Sequence, residues 1–176
     1  MIDIKALLKN QQNNYAGLPG FSIQQMNAIP DSSRLPLPSA IEPFYKVQGD
    51  SDRTLVFESR FESGNLALAS KLNDQNYQLV LQTDINTRGH TQWFYFAVSN
   101  TSQALSVTFE ILNLSKTDSL FNYGMKVLVH SEKEHQLSNK GWHRAGRDIS
   151  YFQNSFKKDR VGRSRYYYSL RFTYDF

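Results

Sequence analysis

The chain has 176 residues and no cysteine, which excludes disulfide bonds and catalysis by a thiolate. It also lacks any run that approaches the roughly 18 apolar residues that a membrane helix needs. The first residues, MIDIKALLKNQQNNY, contain no apolar segment of the kind found in secretory signals. These absences predict a cytoplasmic protein with no membrane partner.

Proline is absent from residues 51–176, although five prolines lie between Pro19 and Pro43. The first 50 residues are also rich in glutamine and asparagine and show little hydrophobic periodicity. Such a composition is typical of irregular segments. We therefore predict an irregular leader over residues 1–50 and a single folded domain over residues 51–176.

The predicted domain has little helical periodicity, but apolar and polar residues alternate in it, which is typical of half-buried strands. In the last strand Tyr166 and Tyr168 share the apolar face, so we expect Tyr167 to be exposed. Residues 93–98 are apolar on both faces, and residues 114–123 could hold a helical turn. Strands are predicted over residues 54–61, 66–72, 77–83, 93–98, 105–111, 125–131, 141–145, 147–153 and 166–176. About nine short strands with frequent turns predict an all-β fold, an antiparallel β-sandwich.

The histidines are the candidate metal ligands, and there are four: His90, His130, His135 and His143. A catalytic zinc site needs two close protein ligands, a third ligand and an open position for water. Residues 130–135 read HSEKEH, which is not His-Glu-x-x-His, and on a strand His130 and His135 would point to opposite faces. We predict a solvated hairpin loop at this position, with no metal ligands and no catalytic residues in the chain.

Six motifs follow one another between residues 61 and 154. They read FESGNL (61–66), DINTRGHTQWFYF (84–96), NLSK (113–116), SLFNYGM (119–125), GWHR (141–144) and ISYFQN (149–154), and a tyrosine-rich strand closes the chain. In this order they resemble the N-terminal domain of the cytosolic carboxypeptidases, the zinc peptidases that trim glutamates from tubulin. The resemblance covers about residues 55–176.

The resemblance implies a domain that packs on the family's catalytic domain, supports its folding and shapes access for glutamate-rich tubulin tails. The zinc ligands of the family belong to that catalytic domain, which the resemblance would place after Phe176. We therefore expect no cofactor and no catalysis in this chain alone. The expected partner is a carboxypeptidase catalytic domain.

The two longest polar connections are the predicted domain interface, because loops on a rigid frame commonly carry function. The interface candidates are Phe61, Glu62, Ser63, Gly64, Asn65, Arg88, His90 and Trp93. The same connections are equally consistent with plain turns, with positive φ at Gly64 or Asn65. In the absence of a bound catalytic domain, we expect Phe94, Phe96 and Val98 to form an open apolar face.

Positive charge is concentrated between residues 140 and 171, which hold nine Lys or Arg and two Asp or Glu. The acidic-partner candidates are Lys157, Lys158, Arg160, Arg163 and Arg165. Such residues attract glutamate-rich protein tails over long range, and tubulin is the partner that the resemblance suggests. The plainer interpretation is a solvated hairpin tip.

Two further functions belong to other classes. A basic nucleic-acid module would use residues 157–165, although nucleic acid is the weaker partner because the alternation offers Tyr167 alone for base stacking. A self-sufficient sandwich would bind a peptide or a carbohydrate near Trp93 and Trp142. Exposed, coplanar aromatic rings would favour peptide or carbohydrate binding, and buried tryptophans would exclude this function.

Overall fold

The structure, a computed structural model, describes residues 45–87, 90–102, 106–158 and 165–176. Most of the predicted leader lies outside these residues, so the domain boundary at residue 50 stays a prediction. Three candidate site residues, Arg88, Arg160 and Arg163, also lie outside them, and only the backbone of Arg165 is described.

The described residues form nine strands, one short α-helix and one 3₁₀ turn. The strands are β1 (Val56–Glu58), β2 (Leu66–Asn73), β3 (Asn76–Leu81), β4 (Ala97–Ser99), β5 (Ser106–Leu114), β6 (Val127–Val129), β7 (His143–Ala145), β8 (Arg147–Lys158) and β9 (Arg165–Asp175). The helix α1 spans Glu132–Ser138, and the 3₁₀ turn spans Leu120–Tyr123. Every predicted strand overlaps an observed one, but in the predicted strand 93–98 only the last two residues pair in a ladder.

The strands build two layers. Five of them form one sheet in the order β2-β3-β5-β9-β8. The second layer consists of two small sheets, β1-β4 and β6-β7, together with the chain that leads into β4. The prediction of an all-β sandwich is therefore confirmed.

The core lies between the two layers. Leu79, Ile111 and Leu170, from three neighbouring strands of the large sheet, are fully buried. From the second layer, the Phe57 ring packs 5.5 Å from the Tyr77 ring, and Val127 is buried beside them in the same cluster. Complete burial of one such side chain contributes about 1.5–3 kcal/mol, so this cluster holds the small sheets on the large one.

One strand pair of the large sheet, β3 with β5, is parallel, whereas all other described pairs are antiparallel. The ladder of this pair is recorded from Asn76 to Leu79 on β3. Beyond it, the buried side chain of Asn113 accepts a hydrogen bond from the Leu81 N–H and donates one to the Leu81 carbonyl, both at 2.8 Å. The Asn113 amide thus continues the pairing where the backbone of β5 bulges.

Two predictions about side-chain direction are wrong. Tyr167 is buried, with the Lys158 Nζ atom 4.8 Å from its ring centroid, and Tyr166 is the more exposed ring. His130 and His135 do not point to opposite faces of one strand, because His135 lies in α1, which occupies the predicted hairpin loop, and their rings are 5.3 Å apart. Alternation along a strand shows which side chains share a face of the sheet, but it does not show whether other residues of the protein bury that face.

Tyr151 gives the fold an alkaline limit that can be measured. Its hydroxyl is half-buried and donates a hydrogen bond to the Lys116 carbonyl at 2.5 Å, and burial raises the pKa of Tyr151 from 10.0 to about 12. Because the folded-state pKa is raised, the stabilisation is complete below pH 10 and is lost as the pH rises from 10 towards 12. We expect denaturant unfolding curves to show this loss, and Tyr151→Phe to reduce it. An equal loss in both proteins would contradict the assignment.

Candidate functional site

The candidate site residues gather at one end of the large sheet. The turn before β2 meets the end of β3, where Leu66 pairs with Leu81. Leu114 closes β5 and Lys158 closes β8 at this same end. The structure therefore brings together the predicted interface turn, the connection at residues 84–92 and the described part of the basic run.

The turn at residues 61–64 is built around Gly64. A Cβ atom at Gly64 would lie 2.0 Å from the Ser59 carbonyl oxygen, so no other residue fits without a backbone shift. The Gly64 N–H donates to the Phe61 carbonyl at 2.9 Å, and Ser63 has a φ of 67°. The positive φ thus falls on Ser63, and the prediction of Gly64 or Asn65 is wrong. Close approach, and not an unusual φ, is the reason for glycine here.

Asn65 is a positioning residue for the chain that leads into β4. Its side chain is buried, donates to the Trp93 carbonyl at 2.9 Å and accepts from the Tyr95 N–H at 2.8 Å. Its backbone carbonyl accepts from the Gln82 N–H at 2.7 Å. Asn65 therefore fixes residues 93–95 against the large sheet, and its buried side chain acts within the domain.

The connection at residues 84–92 folds onto itself. The Asp84 N–H donates to the His90 carbonyl at 2.8 Å, and the Thr87 hydroxyl donates to the Asp84 carbonyl at 2.7 Å. The Thr87 hydroxyl also accepts from the His90 N–H, while Thr91 is buried and donates to the Asn113 carbonyl. The described residues of this connection thus bond to one another as in a turn, and the His90 side chain is exposed; its role towards a partner stays a prediction.

An aromatic surface lies outside the second layer. We define it by Phe61, Trp93, Tyr95 and Trp142. The Tyr95 ring connects Phe61 at 4.9 Å with Trp142 at 5.8 Å, both edge-to-face. Trp142 is 56% exposed and Trp93 is 44% exposed. Large aromatic side chains held in contact while facing water are typical of a surface that another molecule covers.

The open face expected at residues 94–98 is not found. Phe94 stacks on Phe172 of β9 with ring centroids 6.3 Å apart, and both Phe96 and Val98 are partly buried against the core. Their neighbours Trp93 and Tyr95 point the other way, because successive side chains of extended chain alternate. The exposed rings of this segment therefore lie on the side opposite to the predicted open face. Tyr95 was not among the predicted site residues, and Trp142 was predicted only as part of a peptide or carbohydrate site.

The histidines lie beside the aromatic surface. The His130 ring is 5.5 Å from Trp142, and the His143 Nε2 atom is 3.4 Å from a Glu134 carboxylate oxygen. Lys140 also binds that carboxylate, at 3.0 Å. Among the described residues, no group of three or more histidine, aspartate or glutamate side chains has the geometry to hold a metal ion. These contacts position His130 and His143 around Trp142.

The described part of the basic run divides into two roles. Lys157 is exposed at the end of β8. Lys158 donates from Nζ to the Ser115 carbonyl at 3.1 Å and covers the Tyr167 ring, so it is largely occupied by contacts within the domain. Lys157 is thus the acidic-partner candidate that the structure leaves facing solvent in this part of the chain.

Glu58 stabilises the start of the interface turn in a way that depends on pH. Its carboxylate accepts from the Arg60 side chain at 2.7 Å and from the Ser59 N–H at 2.9 Å, and mainly the Arg60 contact lowers its pKa from 4.5 to about 2. The contribution is present above pH 4.5 and is lost as the pH falls towards 2. Because the Glu58 side chain is 40% exposed, we expect this contact to contribute less than about 1 kcal/mol to the free energy of unfolding. Glu58→Gln should flatten acid unfolding curves over this range, and an unchanged curve would contradict the prediction.

Comparison with known proteins identifies a family and several relatives that this chain resembles. A family model described as the cytosolic carboxypeptidase N-terminal domain matches residues 57–170. The chain is 49% identical over 131 residues to cytosolic carboxypeptidase 2 of Xenopus tropicalis, which covers 74% of this chain and 13% of that protein. It is 46% identical over 125 residues to cytosolic carboxypeptidase 3 of Mus musculus, which covers 71% of this chain and 12% of that protein.

A more distant match extends further along the chain. Cytosolic carboxypeptidase 4 of Mus musculus is 35% identical over 167 residues, which covers 88% of this chain and 15% of that protein. The chain therefore spans only a small part, about an eighth, of the length of the relatives that it matches. In the part of the chain that the structure describes, no helix has the length and apolar character needed to cross a membrane.

Proposed function

Because the chain belongs to the family of cytosolic carboxypeptidase N-terminal domains, we propose that it is a non-catalytic domain that packs through its aromatic surface on a carboxypeptidase catalytic domain. In this role the domain supports the folding of its partner and shapes access for glutamate-rich protein tails, such as those of tubulin, in the cytoplasm. Zinc belongs to the partner domain in this proposal, and this chain requires no cofactor.

The observation that carries the proposal is the aromatic surface. Its four rings lie within residues 57–170, the range that the family model matches. Asn65 and Gly64 hold the backbone beneath it, which keeps the exposed rings in place before any partner arrives. A rigid surface costs less conformational entropy to cover than a mobile one, and buried aromatic residues dominate the affinity of many interfaces.

A ligand-binding sandwich is the second candidate, because both tryptophans are exposed. Sugar binding favours coplanar rings, however, and the planes of Tyr95 and Trp142 differ by 63°. Edge-to-face rings with an irregular outline suit a protein surface that can interdigitate with them. The geometry therefore favours docking of a protein domain over stacking of a sugar.

The proposal is tested by binding between this chain and the catalytic domain of cytosolic carboxypeptidase 2 of Xenopus tropicalis, measured by calorimetry. We expect a complex whose affinity falls about thirtyfold or more in Trp142→Ala, because Trp142 is the most exposed of the four rings and has the most surface for a partner to cover. Phe61→Ala should weaken binding less, because Phe61 is only 36% exposed.

Leu72→Ser is the matched control, since Leu72 is an exposed apolar residue on β2 near the opposite end of the large sheet. This variant should bind as the unchanged chain does. The proposal fails if no complex forms with the folded chain, or if Trp142→Ala and Leu72→Ser have equal effects.

A further inference from the structure

A second exposed feature lies apart from the aromatic surface, at the 3₁₀ turn Leu120–Tyr123. The turn is closed at both ends: the Ser119 side chain accepts from the Phe121 N–H at 3.4 Å, and the Met125 N–H donates to the Leu120 carbonyl at 3.1 Å across Gly124. The Phe121 ring packs against the core. The turn is therefore a fixed element whose other side chains have defined directions.

Leu120 and Tyr123 stand side by side on the turn. Residues three apart on a 3₁₀ helix eclipse one another, so both project from the same side. Leu120 is 64% exposed and Tyr123 is 74% exposed, and the Tyr123 hydroxyl is 3.3 Å from an Asp118 carboxylate oxygen that accepts from it. The fold thus presents an apolar pair to solvent and restrains the tyrosine ring, although neither side chain serves the core.

Two lysines flank this pair in the chain. Lys116 and Lys126 are exposed on the two sides of the turn, and the Lys116 carbonyl is bonded to Tyr151 of β8. The neighbouring Ser115 carbonyl accepts from Lys158 at the end of β8, and Lys157, the residue before it, is exposed. The nearby acidic side chain, Asp118, is hydrogen-bonded within the turn to the Ser119 N–H at 2.8 Å and to the Tyr123 hydroxyl.

We propose that Leu120 and Tyr123, together with the flanking Lys116, Lys126 and Lys157, bind an extended acidic peptide segment. The inference rests on the proposed role in admitting glutamate-rich tails, and it names a surface for them. The lysines attract the carboxylates over long range, and the apolar pair contacts the aliphatic or aromatic residues of the peptide. The contribution of the lysines to peptide binding can be measured separately from that of the apolar pair, because only the first depends strongly on salt.

An acidic peptide fits this surface better than a nucleic acid does. Binding of single strands relies on several aromatic faces open to stacking, and Tyr167, which the sequence suggested for stacking, is buried. Of the pair on the turn, Leu120 has no ring, and Tyr123 is a single exposed ring held by Asp118. A single exposed ring can stack on one base, whereas binding of a nucleic-acid strand uses several rings in succession.

The test is fluorescence anisotropy of a labelled polyglutamate peptide that contains one tyrosine, titrated with the 176-residue chain. We expect Lys116→Glu combined with Lys157→Glu to weaken binding about tenfold, and increasingly so at low ionic strength. Tyr123→Ala combined with Leu120→Ser should weaken it about fivefold, with little dependence on salt. Lys133→Glu, an exposed charge reversal on α1, is the control and should leave binding unchanged.

The inference is overturned if Lys133→Glu weakens binding as much as the Lys116 and Lys157 pair, or if the apolar variant binds normally. Tighter binding of a single-stranded oligonucleotide that displaces the peptide would also overturn it in favour of nucleic acid. The assay contains no catalytic domain, so its failure leaves the docking proposal intact. Conversely, Trp142→Ala should keep peptide binding even where it loses the catalytic domain.

Discussion

Replacement of Gly64 by alanine is expected to lower the free energy of unfolding by about 3 kcal/mol or more, enough to leave much of the chain unfolded at physiological temperature. The added Cβ atom would lie 2.0 Å from the Ser59 carbonyl oxygen and 2.7 Å from the Ser59 carbonyl carbon. Both are backbone atoms, so no side-chain rotation can relieve the contact. The turn would have to open, and opening it separates β2 from the chain that precedes it.

The consequence would reach the aromatic surface, because Asn65 is the next residue. Its side chain holds the backbone of Trp93 and Tyr95. A shift of the turn would therefore displace two of the four rings, and binding to the catalytic domain should fall together with stability. Chemical denaturation followed by tryptophan fluorescence measures the first effect, and calorimetry at low temperature on the fraction that remains folded measures the second.

Gly141→Ala is the control within the same chain. No atom lies within 4 Å of a Cβ built at Gly141, and its φ is in the ordinary range. The substitution should change the unfolding free energy by less than about 0.5 kcal/mol, as for other surface substitutions. If Gly64→Ala and Gly141→Ala unfold at the same denaturant concentration, the close approach at Ser59 is not a constraint on the fold.

The different environments of Gly64 and Gly141 could not be predicted from the sequence. The sequence predicted Gly64 as part of an interface connection or a plain turn, and Gly141 as the first residue of a strand. The strands themselves could be predicted, because alternation of apolar and polar residues follows directly from the geometry of extended chain. The requirement at Gly64 depends on a backbone segment five residues earlier in the chain folding over it, and no pattern of residue types records such an approach.

The direction of side chains was predictable only where one face of a strand is covered. Leu79, Ile111 and Leu170 lie in the core as their alternation indicates. Tyr167 follows the same rule of alternation, yet it is buried on its own side beneath Lys158. The aromatic surface combines chain segments from residues 61, 93–95 and 142, and only folding brings them into contact. Its residues are visible in the sequence, but their contacts are not.

The parallel pairing of β3 with β5 has a second large consequence, at Asn113. We expect Asn113→Leu to lower the free energy of unfolding by about 3–5 kcal/mol, although leucine has the same branched side-chain shape. The Asn113 side chain serves both the N–H and the carbonyl of Leu81, each at 2.8 Å, and Leu81 is fully buried. Leucine would leave two buried backbone groups without partners, and each such group costs about 1–3 kcal/mol.

The position of Asn113 explains why a backbone group cannot replace its amide. The pairing of β5 with β9 shifts register between Ile111 and Leu114, and the Asn113 carbonyl accepts from the Thr91 hydroxyl. Gln153→Leu, which changes an exposed amide on β8, should alter the unfolding free energy by less than about 0.5 kcal/mol. Amide hydrogen exchange adds a local readout, because in Asn113→Leu the Leu81 N–H should lose protection before neighbouring amides of β3. Retained protection at Leu81 would mean that water or a shifted backbone takes over the role of the side chain.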